Sequence, residues 1–194
     1  MHTEVTTVEE TSEKTQDTEE VAPSEVTTLA VARTRRYDNG DSGYQIDQYN
    51  SEDQRIRTDI YDVSGKKVCY WIYQYNEKGQ EVHADAYDVN DNRIGYEVTQ
   101  YNENGERVRT DTYDDNGKRV RFVTLQYNEK GQWTRRSYYD EDGKITDYET
   151  CLYDEKGQGT RIDIYNADGT LRCYAIRQEN GIFKSFLADG TPMD

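Results

Sequence analysis

The chain has 194 residues, of which 33% are hydrophobic and 32% are charged, with a formal net charge of −15. Its 18 tyrosines argue against a wholly disordered chain, and the few aliphatic residues argue against a thick two-layer core, so we expect a thin sheet faced with aromatic side chains. The electrostatic field of so acidic a chain repels nucleic acid and anionic lipid, so neither is expected as a partner. No stretch approaches the ~20 apolar residues of a membrane span, so membrane insertion is not expected.

Residues 1–24 differ in composition from everything that follows. They hold seven acidic residues against one lysine and are rich in threonine and glutamate, which predicts a disordered acidic tail. The first ten residues lack the basic and apolar regions of a signal peptide, so a cytoplasmic location stays open.

Residues 25–36 are interpreted as a linker or an extra strand, because residues 25–33 alternate as a β-strand does. We expect a donor strand, marked by Val26, Leu29 and Val31, that adds to the exposed sheet edge of a neighbouring copy. Deletion of residues 1–33 should then leave the sheet folded and abolish or shorten assembly. A first strand paired within its own chain would instead make that deletion destabilise the monomer.

Residues 37–194 form a repeat array. Tyrosines that precede a turn signal recur at spacings of 12 and 14 residues in alternation from Tyr49 onward, which gives a 26-residue unit. A typical turn is Asn76-Glu77-Lys78-Gly79, whose fourth position suits the positive φ of a type I turn with a G1 bulge. Asp53 and Asp91 replace that glycine in two turns, and aspartate tolerates positive φ better than most residues. The pattern predicts an all-β fold, an antiparallel meander of hairpin repeats.

The alternation of 12 and 14 also predicts a steady register slip of two residues per unit. A slip of one sign tilts the strands and coils the single-layer sheet. Two outcomes remain open from the sequence: a twisted open strip, or a nearly closed, barrel-like arrangement with its drier face inside.

Counting residues through the turn at Asn76 predicts which side chains share a face. The predicted pairing places Ile72 opposite Ala84. One face, expected to be the drier one, collects Val68, Tyr70, Ile72, Val82, Ala84, Ala86, Ile94, Tyr96, Val98, Val108, Thr110, Val120 and Phe122. The other collects Trp71, Tyr73, Tyr75 and a stripe of the form Arg/His-x-Asp-x-Tyr: Arg57-Asp59-Tyr61, His83-Asp85-Tyr87, Arg109-Asp111-Tyr113 and Arg161-Asp163-Tyr165.

The face with the stripe is the candidate ligand or assembly surface. Tyrosines stack on sugar rings, and the charges could orient hydroxyl groups. The competing and favoured interpretation for any single unit is a cross-strand ladder of ion pairs on a wet face, each worth about 0.2–1 kcal/mol. Repetition favours an extended ligand, such as a glycan or another protein strand, if the face binds anything.

Enzymatic and metal chemistry is not expected. His83 occupies a column that elsewhere holds Arg57, Arg109 and Arg161, so it is interpreted as a substitute for arginine rather than a base. The acidic turn at Asp140 fails the EF-hand pattern because its twelfth position is Cys151. The three cysteines show no CxxC spacing and are interpreted as small strand residues. No cofactor is predicted.

The recurrent Y-[DN]-x-x-G turns with intervening strands resemble the tyrosine–aspartate (YD) repeats of the Rhs family, over residues 37–175 or so. That resemblance implies a spiralling hairpin strip on a secreted or surface bacterial protein, and it implies no catalytic residues. A similarity to MORN repeats is weaker, since the glycine pairs of that motif are missing.

Two functions follow as hypotheses. The first is a structural protein that self-associates through its sheet edges, as a homo-oligomer or a filament subunit, because an open meander leaves unpaired backbone groups at both ends. The alternative is an extracellular or surface module that binds glycan or protein through its tyrosine-rich face.

Overall fold

The computed structural model of the chain describes residues 30–193. These residues form one antiparallel sheet in which strands β1 to β13 lie in the order of the sequence. The strands are β1 (Arg33–Asp38), β2 (Tyr44–Tyr49), β3 (Arg55–Tyr61), β4 (Lys67–Tyr75), β5 (Glu81–Asp88), β6 (Arg93–Tyr101), β7 (Arg107–Asp114), β8 (Arg119–Tyr127), β9 (Trp133–Asp140), β10 (Ile145–Tyr153), β11 (Gly159–Asn166), β12 (Leu171–Arg177) and β13 (Phe183–Leu187). The predicted all-β meander is confirmed. The sheet is open rather than barrel-like, since β1 and β13 lie at its two ends.

The turns have the predicted geometry. In the turn at Asn76 the Asn76 amide donates to the Gln80 carbonyl, and the Gly79 amide donates to the Asn76 carbonyl, both at 2.9 Å. Gly79 has φ 74°, and Asp53 and Asp91, which replace glycine, have φ 65° and 64°. Aspartate thus takes the left-handed conformation at the two positions where the sequence predicts it.

The predicted assignment of side chains to faces is wrong by one residue. Tyr75 pairs with Glu81 but Gln74 pairs with His83, so Val82 is an extra residue in a β-bulge. A bulge of this kind recurs in most hairpins of the array, and each one shifts the pairing beyond it by one position. Because side chains alternate between the two sides of a strand, that shift moves the partner strand's side chains to the opposite face.

The predicted slip of two residues per unit is confirmed. Ile72 pairs with Asp85, and Asp85 pairs with Tyr96, whereas the residue 26 positions after Ile72 is Val98. The predicted slip is right although the predicted residue partners are wrong, because the bulges recur from unit to unit and shift the pairing in each unit by the same amount.

Burial is spread over both faces of the single layer. The buried hydrophobic residues are Ile56, Tyr70, Tyr73, Ala84, Ala86, Phe122, Leu125 and Cys151, and no large side chain within residues 30–193 is fully buried. The short helical turn Gly40–Ser42 that precedes β2 cannot serve as a membrane-spanning helix, and it is the sole helical element of the described residues.

The first strand pairs within its own chain. β1 begins at Arg33, and the Ala32 amide donates to the Tyr49 carbonyl at 2.8 Å. Of the predicted donor strand, Val26 and Leu29 lie outside the described residues, and Val31 is 50% exposed just before β1. Residues 33–36 therefore form part of the sheet, which begins before the array's predicted start at Tyr37.

Candidate interaction faces

The Arg-x-Asp-x-Tyr stripe shares its face with the aromatic residue of the following strand. Asp59 pairs with Tyr70, and Arg57 pairs with Ile72. The Arg57 guanidinium lies 3.9 Å from the ring centroid of Tyr70. Arg36, Arg109, Arg135 and Arg161 cover the equivalent rings of Tyr44, Phe122, Tyr148 and Tyr174 at 3.6–4.2 Å. We call this surface the ladder face and the other side of the sheet the opposite face.

Stacked aromatic pairs complete the ladder face. The tyrosine that ends each stripe motif stacks on the ring of the preceding strand, as Tyr87 does on Tyr70 at 5.0 Å between ring centroids. The other pairs are Tyr44–Tyr61, Tyr96–Tyr113, Phe122–Tyr139, Tyr148–Tyr165 and Tyr174–Phe186. Offset aromatic pairs add about 0.5–1.5 kcal/mol each beyond the area that they bury.

The stripe aspartates are buried, contrary to the expected wet face. Asp59, Asp85, Asp111 and Asp163 are only 3–9% exposed. Asp59, Asp111 and Asp163 each pair with the arginine two residues earlier on the same strand, and Asp85 lies 3.2 Å from the His83 imidazole in the same arrangement. Burial makes an unpaired carboxylate costly, and these paired side chains offset that cost.

A basic residue of the next strand also contacts three of these aspartates. Lys67 Nζ lies 2.5 Å from an Asp59 oxygen, and Arg119 lies 3.6 Å from Asp111. Arg93 does the same for Asp85 at 3.7 Å. Burial acts to raise the pKa of Asp59, but the hydrogen bonds from Arg57 and Lys67 outweigh it and lower that pKa. The sequence analysis did not identify these bracing residues, although basic residues recur every 26 positions at 67, 93 and 119.

His83 and Ser137 mark the two departures from the stripe. His83 Nε2 lies 3.2 Å from Asp85, and its ring stacks on Tyr96 at 5.3 Å. His83 thus occupies the site of an arginine. In the unit of Ser137 a hydroxyl replaces the carboxylate and accepts a hydrogen bond from Arg135 Nε at 3.0 Å.

Trp71, Tyr73 and Tyr75 lie on the opposite face, away from the stripe with which the sequence had grouped them. Tyr73 is 9% exposed and donates to Thr58 Oγ1 at 3.2 Å, and Thr58 donates to Asp47 at 2.7 Å. Burial raises the pKa of Tyr73. Trp71 is half-buried above Ala86, its partner on β5.

Tyr75 belongs to a second repeated contact. Its hydroxyl donates to the backbone carbonyl of Arg55, 20 residues earlier, at 2.8 Å. Tyr101, Tyr127 and Tyr153 make the same bond to Glu81, Arg107 and Trp133 at 2.8–2.9 Å. Turn-edge tyrosines therefore alternate between two roles, stacking on the ladder face and tying each unit to the one before it.

Residues 30–193 contain no cluster of three or more histidine, cysteine and acidic side chains arranged to hold a metal ion. Cys69, Cys151 and Cys173 are free thiols within the sheet. Burial raises the pKa of Cys69, which disfavours the reactive thiolate.

No family model and no curated protein match the chain. Among solved structures it is similar to the crystal structure of TcdB2-TccC3-TEV, with a TM-score of 0.40 and 12% identity over 79% of this chain and 9% of that one. It is also similar to a porin-like protein from Bacteroides uniformis ATCC 8492, with a TM-score of 0.38 and 13% identity over 79% of this chain and 54% of that one. The Photorhabdus luminescens Tc holotoxin pore gives a TM-score of 0.21 and 10% identity, over 74% of this chain and 13% of that one. The chain thus spans a small part of the toxin chains and about half of the porin-like protein.

Proposed function

We propose that the chain is a structural module that self-associates through its terminal strands and is not an enzyme. The observation that supports this best is that the repeated polar groups make contacts within the sheet. Arginines lie on rings, buried aspartates pair with basic side chains, and tyrosine hydroxyls bond to carbonyls of the preceding unit. Groups held in this way build a stiff strip, because each unit is tied to its neighbours.

The two ends of the strip differ in a way that supports a head-to-tail contact. β1 is the exposed edge strand, and Arg33, Arg35 and Arg36 lie on it in a chain of net charge −15. At the other end, Met193 donates to the Ser185 carbonyl and Pro192 bridges to Phe186, so part of the β13 edge is covered. Exposed apolar side chains cluster in sequence around that end: Ile182, Phe183, Leu187 and Met193. Unlike ends generate a heterologous contact, which extends into an open chain unless its rotation closes a ring.

Light scattering coupled to size-exclusion chromatography tests this proposal over a wide range of protein concentration. We expect the mean mass to rise with concentration. The triple variant Arg33→Glu, Arg35→Glu, Arg36→Glu should lower it, while a circular dichroism spectrum reports that the sheet persists. The matched control reverses the same amount of charge at three exposed loop residues, Lys78, Lys130 and Lys156, and should leave the mass unchanged. A strict monomer at all concentrations would contradict the proposal.

A second candidate function is a surface module that binds glycan or protein. It is supported by an open groove on the opposite face rather than by the ladder face. The resemblance to Rhs repeats supports an extracellular or cell-surface setting for either function.

A further inference from the structure

A groove of about 640 Å³ opens on the opposite face across β6 to β10. Its origin lies in a departure from the repeat. On β4, Trp71 and Tyr73 cover the paired alanines, of which Ala84 is only 3% exposed. The same two positions one unit later hold Glu97 and Thr99. The groove opens beside this substitution, where two aromatic side chains are replaced by smaller polar ones.

The floor of the groove combines hydroxyl and apolar groups. Thr110 and Thr112 of β7 lie beside Val123 and Leu125 of β8. Both strands are paired on their two sides, so the sheet uses their backbone amides and carbonyls. An extended peptide that binds by adding a strand needs a free edge, and this floor offers none. Recognition at this site therefore depends on side chains.

Charged groups line the groove in balanced number. Arg121 lies 3.8 Å from Glu97, and Glu97 accepts a hydrogen bond from Thr112 at 3.1 Å. Arg107 and Asp147 also line it, and neither has an ion-pair partner within 4 Å among residues 30–193. With Arg136 and Asp140 included, three guanidinium and three carboxylate groups line the groove, which is therefore locally neutral within a chain of net charge −15.

Contacts of Tyr138 and Arg136 with Glu149 hold the far wall of the groove in place. Tyr138 donates to Glu149 at 2.5 Å, and Arg136 lies 3.2 Å from the same carboxylate oxygen. Burial and the hydrogen bond to Glu149 raise the pKa of Tyr138. The far wall thus presents the ring of Tyr138, whose hydroxyl is held by its hydrogen bond to Glu149.

We propose that this groove binds a short segment of an uncharged oligosaccharide. Hydroxyl groups both donate and accept, so a sugar can use the guanidinium donors and the carboxylate acceptors together. The local neutrality disfavours a charged ligand, and the acidic field of the chain repels a polyanion. The volume lies within the range of about 300–1,000 Å³ that is usual for small-molecule sites. The proposal rests on the second function above and not on self-association.

Isothermal titration calorimetry at a protein concentration below any self-association tests the site. The probes are short cello-, chito- and galacto-oligosaccharides, with an oligogalacturonate as the anionic comparison and an unrelated peptide mixture as the protein comparison. We expect saturable binding of at least one uncharged series and none of the oligogalacturonate. A failure of assembly leaves this readout unaffected.

Two variants locate the binding. Glu97→Trp restores the residue that the preceding unit carries at this position, Trp71, and it should weaken the affinity at least about tenfold, the equivalent of about 1.4 kcal/mol. Arg107→Gln removes an exposed donor and should weaken it severalfold. The control Thr160→Trp adds the same bulk on β11, outside the groove, and should leave binding unchanged. Binding of none of the uncharged series, preference for the anion or the peptides, or undiminished affinity in Glu97→Trp would each overturn the proposal.

Discussion

Two stretches of the ladder face place different side chains at the same positions of the repeat, one between β7 and β8 and the other between β9 and β10. Between β7 and β8, Asp111 lies 2.6 Å from Arg109 and 3.6 Å from Arg119, and it is 3% exposed. Between β9 and β10, the equivalent residue is Ser137, and Ile145 stands at the position of Arg119. The carboxylate and its second cation are thus absent together.

The arginine is present in both stretches. Arg109 lies 4.0 Å from the ring centroid of Phe122, and Arg135 lies 3.8 Å from that of Tyr148. The aromatic ring therefore accounts for the arginine, since the arginine is kept in the unit where the carboxylate is lost. The aspartate is the member that varies: Ser137 replaces it in one unit, whereas Asp163 is buried with Arg161 as its ion-pair partner and has Leu171 at the position of Arg119.

The largest expected effect comes from removing the carboxylate between β7 and β8. Asp111→Ala leaves Arg109 and Arg119 without their carboxylate, and Arg119 Nε is already buried without a hydrogen-bond partner among the described residues. We expect a loss of about 2–4 kcal/mol in the free energy of unfolding, measured by urea denaturation.

The matched variant is Ser137→Ala, which removes one hydrogen bond to Arg135 and should cost about 1 kcal/mol. The comparison is sharpened by Ser137→Asp, alone and with Ile145→Arg. The single change should reproduce the pairing of Asp163 with Arg161 and be tolerated, and the added cation should raise stability above that of the single variant. Equal costs for Asp111→Ala and Ser137→Ala would show that the second cation is irrelevant.

The sequence predicts the path of the sheet better than its faces. The Y-[DN]-x-x-G turns determine the hairpins, and the spacing of the tyrosines determines the slip from Ile72 to Tyr96. The face assignment failed at Val82, because a one-residue bulge leaves no mark in the turn signal that precedes it.

The contacts of the candidate faces were harder to predict than the turns. The bond from Tyr75 to the Arg55 carbonyl joins two units, so it becomes visible only when the tilt of the strands is known. The burial of Asp59 depends likewise on Lys67 of the next strand, a partner that the Arg-x-Asp-x-Tyr motif does not mark. Side-chain roles in a single-layer sheet are decided across strands, and a one-residue error in pairing is enough to hide them.

A smaller effect separates the two kinds of tyrosine. Tyr101→Phe removes the 2.9 Å hydrogen bond to the Glu81 carbonyl and should lower the free energy of unfolding by about 1 kcal/mol. Tyr113→Phe is the control, because Tyr113 stacks on Tyr96 and its hydroxyl makes no hydrogen bond within residues 30–193. In thermal melts Tyr101→Phe should unfold at a lower temperature than Tyr113→Phe, and identical melts would contradict the proposed role of the hydroxyl.

The burial of Tyr75 makes stability depend on alkaline pH. Burial, with the Glu81 charge adding to it, raises the pKa of Tyr75 to about 12 from the ordinary 10.0. Between these values the unfolded chain releases a proton that the folded chain retains, so the free energy of unfolding falls as the pH rises. Urea titrations at about pH 9 and about pH 11 should show this fall, and it should be smaller in Tyr75→Phe. An equal fall in both proteins would assign the effect to other groups.

The smallest expected effect comes from returning His83 to the residue that the other units carry. The imidazole lies 3.2 Å from Asp85 and stacks on Tyr96, but it offers fewer donors than the planar guanidinium at Arg109, which bonds to both oxygens of Asp111. Arginine also keeps its charge at every pH of interest. His83→Arg should therefore raise the free energy of unfolding by about 0.5–1 kcal/mol at a pH of about 8, from the cation–π contact and the second hydrogen bond together. The control His83→Gln keeps a polar side chain but supplies neither a ring nor a guanidinium, and it should lower stability instead. If arginine and glutamine behave alike in urea denaturation, the cation is not what this column of the ladder requires.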